Sequence, residues 1–235
     1  TPPNTVSVTD PGFETEAPGY NVETFGQKTD HAGAILSRHP VTVERRGLPG
    51  HPRDKDDPQA RYIEAIVEPE SRGGGRRPVR VASIYAPNGN PAPGPKYDNK
   101  RAFMAALEKH VRALLEQQEP FVLGGDYNVI PQAEDVYDPA AWKDDALFLP
   151  ESRAALRRLI HLGLTDAFRA LHAEIAYTFW DYQRGAWQKD HGLRIDHLLL
   201  SPQAADLLES AGIDKKPRGW EKPSDHTPVW CELAV

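Results

Sequence analysis

Four short polar signals in this 235-residue chain have the residue types for a common chemistry. In FVLGGDYNVIP an apolar run, Phe121-Val122-Leu123, meets two glycines and then presents Asp126 and Asn128 before Pro131. Asp196 interrupts LRIDHLLL, Asp225-His226 stands in KPSDHTPV, and Tyr85 and Asn88 close the run SIYAPNG. Each has a plain structural explanation, because Asp and Asn satisfy their own turn backbone, Gly and Pro punctuate strands, and a lone interior carboxylate can be half of a buried pair. What asks for a chemical account is their common placement at strand-like runs, where loops on a rigid scaffold carry sites.

Hard oxygen ligands supply one account. Mg²⁺ is typically held by one or two carboxylates together with waters and substrate phosphate oxygens, which suits Asp126 and Asp225 without a dedicated cage. Asn128 can orient a water or ligate through its carbonyl, and His226 can donate to a phosphate oxygen or move a proton. Asp196 can fix the imidazole tautomer. The set describes metal-assisted phosphodiester hydrolysis. It does not describe a serine hydrolase or a zinc site, since no G-x-S-x-G elbow and no Cys/His ligand spacing occur.

The elements that must position these residues alternate between strand and helix. AGAILS, RYIEAIVE and VRVASIYAP have the β-branched and alternating apolar residues of strands, with ESRGGGRR as a hairpin-like connection between the last two. That glycine run lacks a Gly-Lys-Ser/Thr ending and is a flexible turn rather than a phosphate loop. In DNKRAFMAALEKHVRALLEQQ, Phe103, Leu107, Val111 and Leu114 recur at helical spacing, and Asp98 or Asn99 can cap the start. Pro120 ends that helix and FVLGG follows as a buried strand. A second helix is expected in ESRAALRRLIHLGL with Gly163 near its end, preceded by a long loop around Trp142. AYTFWDY, LRIDHLLLS and HTPVWCELAV read as strands, and QAADLLESAG as a short helix.

Composition narrows the class. With 39 % hydrophobic content the chain can bury a large core as one α/β domain. Its net charge of −6 gives no global basic field for nucleic acid, although a local basic face remains open. The single cysteine, Cys231, reads as a small buried hydrophobe and suits a reducing compartment. No apolar run reaches the roughly 18 residues of a membrane span, so a soluble protein is expected.

At the same residues the sequence resembles a known family. SIYAPNG, LGGDYNVIP, YTFWDY, GLRIDHLLLS and EKPSDHTPVW, in that order, are similar to the successive motifs of exodeoxyribonuclease III, the abasic-site endonuclease branch of the endonuclease/exonuclease/phosphatase superfamily. The resemblance runs from about Gly19 to the C-terminus. It implies a single domain over 1–235 with an irregular start at 1–18, folded as a four-layered α/β sandwich of two facing mixed β-sheets flanked by helices. It also implies a cytoplasmic, monomeric, Mg²⁺-dependent nuclease, with Mn²⁺ as the other candidate ion, acting on abasic sites and 3′ ends of double-stranded DNA. In that frame Asp126 positions or deprotonates the attacking water with help from Asn128, His226 contacts the scissile phosphate, and Asp196 orients His226. Asp225 is a metal ligand with Asp126 and Asn128, Tyr85 bonds the phosphate, and Asn88 touches the DNA backbone. Phe179 with Leu193 and Ile195 would line a small apolar pocket for a flipped abasic sugar, while Trp180 belongs to the core. Arg184, Lys189, Arg194 and the RGGGRR turn could add to a phosphate-binding face.

The resemblance departs at the N-terminus. The family begins with a strand carrying an N-x-N-type asparagine and a second strand ending in Gln-Glu, whose Glu is a principal metal ligand; here Asn4-Thr5 falls at the Gln-Glu position. Residue 1 is Thr and the only methionine is Met104. Two expectations follow: an ordinary enzyme whose N-terminal part is missing from this sequence, or a catalytically impaired DNA-binding module that keeps the phosphate and pocket contacts.

Overall fold

The computed structural model of the chain describes residues 19–26, 32–51, 60–70, 74 and 77–235. The expectations for residues 1–18, including the Asn4-Thr5 position, and for most of the RGGGRR turn lie outside the described residues. The expected α/β sandwich is built on a six-stranded mixed sheet with the order β3-β4-β5-β6-β8-β7. Its strands are β3 (Val41–Arg46), β4 (Tyr62–Val67), β5 (Val79–Tyr85), β6 (Phe121–Asp126), β7 (Thr165–Asp166) and β8 (Asp196–Leu200). Against it lie two antiparallel pairs, β1 (Asn21–Gly26) with β2 (Ala32–Ser37) and β9 (Leu208–Ile213) with β10 (Val229–Leu233). Among the described residues the second sheet of the sandwich is thus two separate hairpin-like pairs rather than one mixed sheet.

Alternation in the strands divides two cores. Tyr62, Ala82, Ile84, Phe121 and Leu123 face helix α1 (Pro95–Glu116) and helix α3 (Pro150–His161), while Ile63, Ala65, Val67, Val79 and Val81 face Ile35, Phe25 and Leu233 of the paired strands. A residue-by-residue switch of face follows from the two-residue period of a strand, so both neighbours of the sheet are apolar. α1 presents Phe103, Leu107, Val111 and Leu114 to the sheet as expected, and Lys100 and His110 fall on the same buried stripe. The helix begins at Pro95, not at Asp98 or Asn99, because proline's fixed φ and missing N–H suit the first turn.

Three other expectations are corrected. Residues 176–182 do not form a strand; only Phe179 makes bridges, to Leu193 and to His226, because this segment is wedged between two chain segments rather than laid along one partner. In QAADLLESAG the helix is confined to α5 (Pro202–Ala205), and Leu208–Ile213 pairs with β10. Gly212 sits opposite Trp230, where a Cβ would stand 2.7 Å from the indole, so tertiary packing overrides the local helical pattern. Around Trp142 a short helix, α2 (Pro139–Trp142), is capped by the Asp138 carboxylate, which accepts from Ala140 and Ala141 N–H. The remaining helix, α4 (Ala167–Leu171), is capped in the same manner by Asp166.

Two buried ion networks lock the layers, one around Glu64 and one in which Arg194 donates to Asp135 and Asp166. Glu64, fully buried, accepts from Tyr62 Oη, from Arg80 Nη1 at 2.7 Å and from His110 Nε2 at 2.6 Å. Burial alone would push its carboxyl up, but these hydrogen bonds and the neighbouring charges hold it below the ordinary 4.5. Stability from a lowered carboxylate pKa is present above the unfolded value and is lost as pH falls through the folded one. Urea unfolding between pH 7 and 3 should therefore show the wild type losing stability below about pH 4.5, and Glu64→Gln should be less stable by on the order of 3 kcal/mol at pH 7 with a flatter acid limb. Equal acid limbs would remove Glu64 from this role.

Candidate active site

The site is assembled at one end of the central strands. Parallel pairing sets Tyr85 beside Asp126, and antiparallel pairing sets Asp126 beside Asp196, so the last residues of β5 and β6 and the first of β8 form a row. Beneath Asp126, Gly125 has φ +142, and a Cβ there would lie 2.0 Å from the Ile84 carbonyl oxygen. Only glycine permits this approach. Past the strand the chain turns at once: Asp126 Oδ1 accepts from Asn128 N at 2.7 Å and Oδ2 from Asn128 Nδ2 at 2.8 Å. Asn128 adopts φ 49, a left-handed conformation that asparagine tolerates better than most residues. Its side chain also donates to Ala86 O at 3.0 Å and accepts from Asn88 Nδ2 at 3.2 Å.

Asp196, Asp225 and His226 are joined through residues 178–180. Thr178 and Phe179 N–H donate to Leu193 O, while Trp180 N–H donates to Asp225 O at 2.9 Å and Thr227 N–H to Thr178 O at 2.8 Å. The Thr178 hydroxyl accepts from Ile195 and Asp196 N–H. His226 Nδ1 contacts Asp196 Oδ2 at 2.9 Å, which leaves Nε2 as the ring nitrogen for a ligand. Burial would lower the imidazole pKa, yet Asp196, Asp126 and Asp225 together raise it to about 10, which favours the cationic, donating form of His226. Burial, and next the negative charge of Asp196, raise the Asp126 carboxyl to about 7.

Two residues absent from the sequence reading organise the loops. Lys100 is 1 % exposed and donates to the carbonyls of Asn88, at 3.0 Å, and Asn128. Burial lowers its ammonium pKa to about 7 against the raising effect of Asp126 and Asp145. The signal was present: a lysine stands on the apolar stripe of α1. Arg61, also buried, lies with its guanidinium 5.0 Å from the centre of the Tyr85 ring and fixes that side chain beside the row.

Phe179, half-buried, meets His226 edge-on with ring centroids 5.0 Å apart. Leu193 and Ile195 share its apolar cluster but are 1 % and 2 % exposed, so only Phe179 offers accessible surface. Trp180 is fully buried, as expected. Arg194 is not part of a phosphate face: it is 2 % exposed and committed to Asp135 and Asp166 at 2.8 and 2.7 Å. Arg184 and Lys189 are exposed.

Among the described residues no three His, Cys, Asp or Glu side chains form a metal cage. The donors nonetheless fit a magnesium-like ion that keeps waters and takes phosphate oxygens. The Asp225 carboxylate accepts no hydrogen bond among the described residues, and both Asp225 and Asp126 lie near enough to His226 to act on its charge. Asn128 Oδ1 is engaged by Asn88, so this side chain orients Asp126 and is less suited to ligation.

A model of the Endonuclease/Exonuclease/phosphatase family matches residues 4–226. Exodeoxyribonuclease III of Haemophilus influenzae is 34 % identical over 97 % of this chain and 87 % of its own length. Among solved structures, the 3′ phosphatase NExo from Neisseria bound to a product DNA hairpin superposes with a TM-score of 0.81 at 38 % identity, over 92 % of this chain and 79 % of that one. An AP endonuclease from Archaeoglobus fulgidus gives 0.81 at 30 % identity, over 92 % and 80 %.

The close approach at Gly125 makes a sharp forecast. Gly125→Ala must move β6 away from Ile84, and the substitution should lower stability by about 1–3 kcal/mol in urea unfolding. A neutral effect would mean that the strand end is not held as tightly as its backbone contacts require.

Proposed function

The chain belongs to the endonuclease/exonuclease/phosphatase family, and from that premise we propose that it is a divalent-metal-dependent nuclease that hydrolyses phosphodiesters in DNA during repair, incising abasic sites and trimming 3′ ends. The observation that carries the reading is the row in which Asn128 holds both oxygens of Asp126 while Asp196, one strand over, holds His226. An attacking water and a phosphate can be placed between these two pairs, with positioning and charge stabilisation as the main sources of rate.

In this reading Asp126 orients the attacking water and takes its proton. His226, already protonated and fixed by Asp196, donates through Nε2 to a non-bridging phosphate oxygen and stabilises the charge that builds there. Tyr85 and Asn88 contact the phosphate and the adjoining backbone. Asp225 and Asp126 would hold the cation, whose contribution when bound is to neutralise charge on the scissile phosphate. Hard oxygen donors favour Mg²⁺, with Mn²⁺ as a substitute. The exposed edge of Phe179 beside His226 supports contact with an extruded abasic sugar, since such a nucleotide loses little stacking on leaving the duplex.

Cleavage of an abasic duplex should be lost with EDTA and restored by Mg²⁺. Asp126→Asn and His226→Ala should each cut turnover by about 10²-fold or more while duplex binding persists, because both groups act mainly on the transition state. Near-normal turnover in both variants would take these residues out of the mechanism. Duplex binding without cleavage at any metal concentration would identify the impaired DNA-binding module instead.

Pocket contact has its own measurement. Phe179→Ala should reduce the preference for abasic over intact duplex while 3′-end trimming continues, whereas Leu193→Trp should chiefly cost stability, by about 1–3 kcal/mol, through overpacking of a buried position. Unaltered abasic preference in Phe179→Ala would leave Phe179 as a packing residue of the cluster it shares with Leu193.

A further inference from the structure

Lys100 stands out as a buried amino group whose hydrogen bonds go to no carboxylate. Its ammonium makes no ion pair among the described residues, and its hydrogen bonds go to two main-chain carbonyls on different loops. Burying an ammonium whose hydrogen bonds go only to carbonyls is costly even with Asp126 and Asp145 near enough to act on its charge, and a methionine would fill the same place on the apolar stripe at far lower desolvation cost. Close packing confirms that the side chain is held: a Cβ on Gly89, whose φ is +92, would come within 2.7 Å of Lys100 Cδ. What only the ammonium supplies is a pair of donors that tie Asn88 O to Asn128 O.

Both tied residues carry side chains of the site. Asn128 is kept in a left-handed conformation while its amide braces Asp126, and Asn88 closes the chain of contacts by donating to Asn128 Oδ1. Releasing the Asn128 carbonyl would let φ return toward the ordinary region and swing the amide away from Asp126. We propose that Lys100 is a positioning residue of the nuclease reaction, setting Asn128 and Asn88 against Asp126 through their main-chain carbonyls. The role rests on the functional reading given above.

The test is a double-mutant cycle on the whole chain with Lys100→Met and Asn128→Ala, reading kcat and KM on abasic duplex. Lys100→Met should lower kcat by about 10- to 100-fold with KM within about threefold, and it should cost less than about threefold once Asn128 is already alanine, because groups acting through one another are non-additive. The same factor in both backgrounds, a change confined to KM, or a kcat within threefold of wild type would overturn the proposal. If Lys100→Met does not fold, Lys100→Gln is measured in the same cycle, and failure of both to fold would assign Lys100 to the stability of the domain alone. Side-chain amide resonances of Asn128 and Asn88, recorded without DNA or metal, provide an arm independent of activity: they should move in Lys100→Met, and unmoved resonances count against the role. If the wild type cleaves no duplex, the functional reading falls while this arm still decides whether Lys100 positions the two asparagines.

Discussion

Lateral register at the ends of β5, β6 and β8 is the constraint on which the site depends. Neighbouring strands are about 4.8 Å apart, so the pairing of Tyr85 with Asp126 and of Asp126 with Asp196 fixes three polar side chains at adjacent positions before any loop contributes. A slip of one residue would turn Asp126 to the opposite face and bury it in one of the apolar cores. The two cores forbid that slip, because Leu123 on one face and Val122 on the other must keep their own partners. Packing far from the chemistry therefore sets the chemistry's geometry.

That row is electrostatically expensive. Asp126, Asp196 and Asp225 surround a single imidazolium, and a phosphate that enters brings further negative charge. The raised Asp126 carboxyl records the cost: burial and the nearby Asp196 both oppose its ionisation. Lys100 offsets part of it from below, but its ammonium faces main-chain carbonyls inside the protein and is not presented to substrate. With a chain charge of −6 there is also no general positive field to draw DNA in. The phosphate binding proposed for this place would be favoured by a divalent cation shared between protein and substrate.

Legibility of all this in the sequence followed the range of the interactions. The strand ends with Asp126, Asp196 and Asp225-His226, and the apolar stripe of α1, are local patterns and could be seen directly. Leu208–Ile213 could not, because its strand conformation depends on Trp230 lying over Gly212 from eighteen residues away. Nor could the segment at Phe179, which is defined by single bridges to two distant segments. Arg194 looked like a surface cation until two buried aspartates claimed it. Lys100 is the instructive case: its place on the stripe was visible, but the carbonyls that need it belong to residues 12 and 28 positions away in sequence.

At Asp126-Tyr127-Asn128 a structural turn and the proposed functional site are compatible in the geometry. The turn is there, with the Asp126 carboxylate accepting the N–H two residues on, as the side chains of turn-forming aspartates do. Its second oxygen is taken by the Asn128 amide, so the carboxylate is held at both ends and cannot rotate. Each carboxylate oxygen has a further lone pair, and these remaining acceptor positions have fixed directions because Gly125 and Tyr127 pin the backbone on either side. Turn chemistry is thus the means by which a half-buried carboxylate is kept rigid at a strand end while retaining the capacity to accept a proton from water. The same hydrogen bonds that would satisfy an ordinary turn fix the Asp126 carboxylate in the orientation that the proposed role as base requires, and the asparagine that supplies them is in turn anchored to the helix below by Lys100.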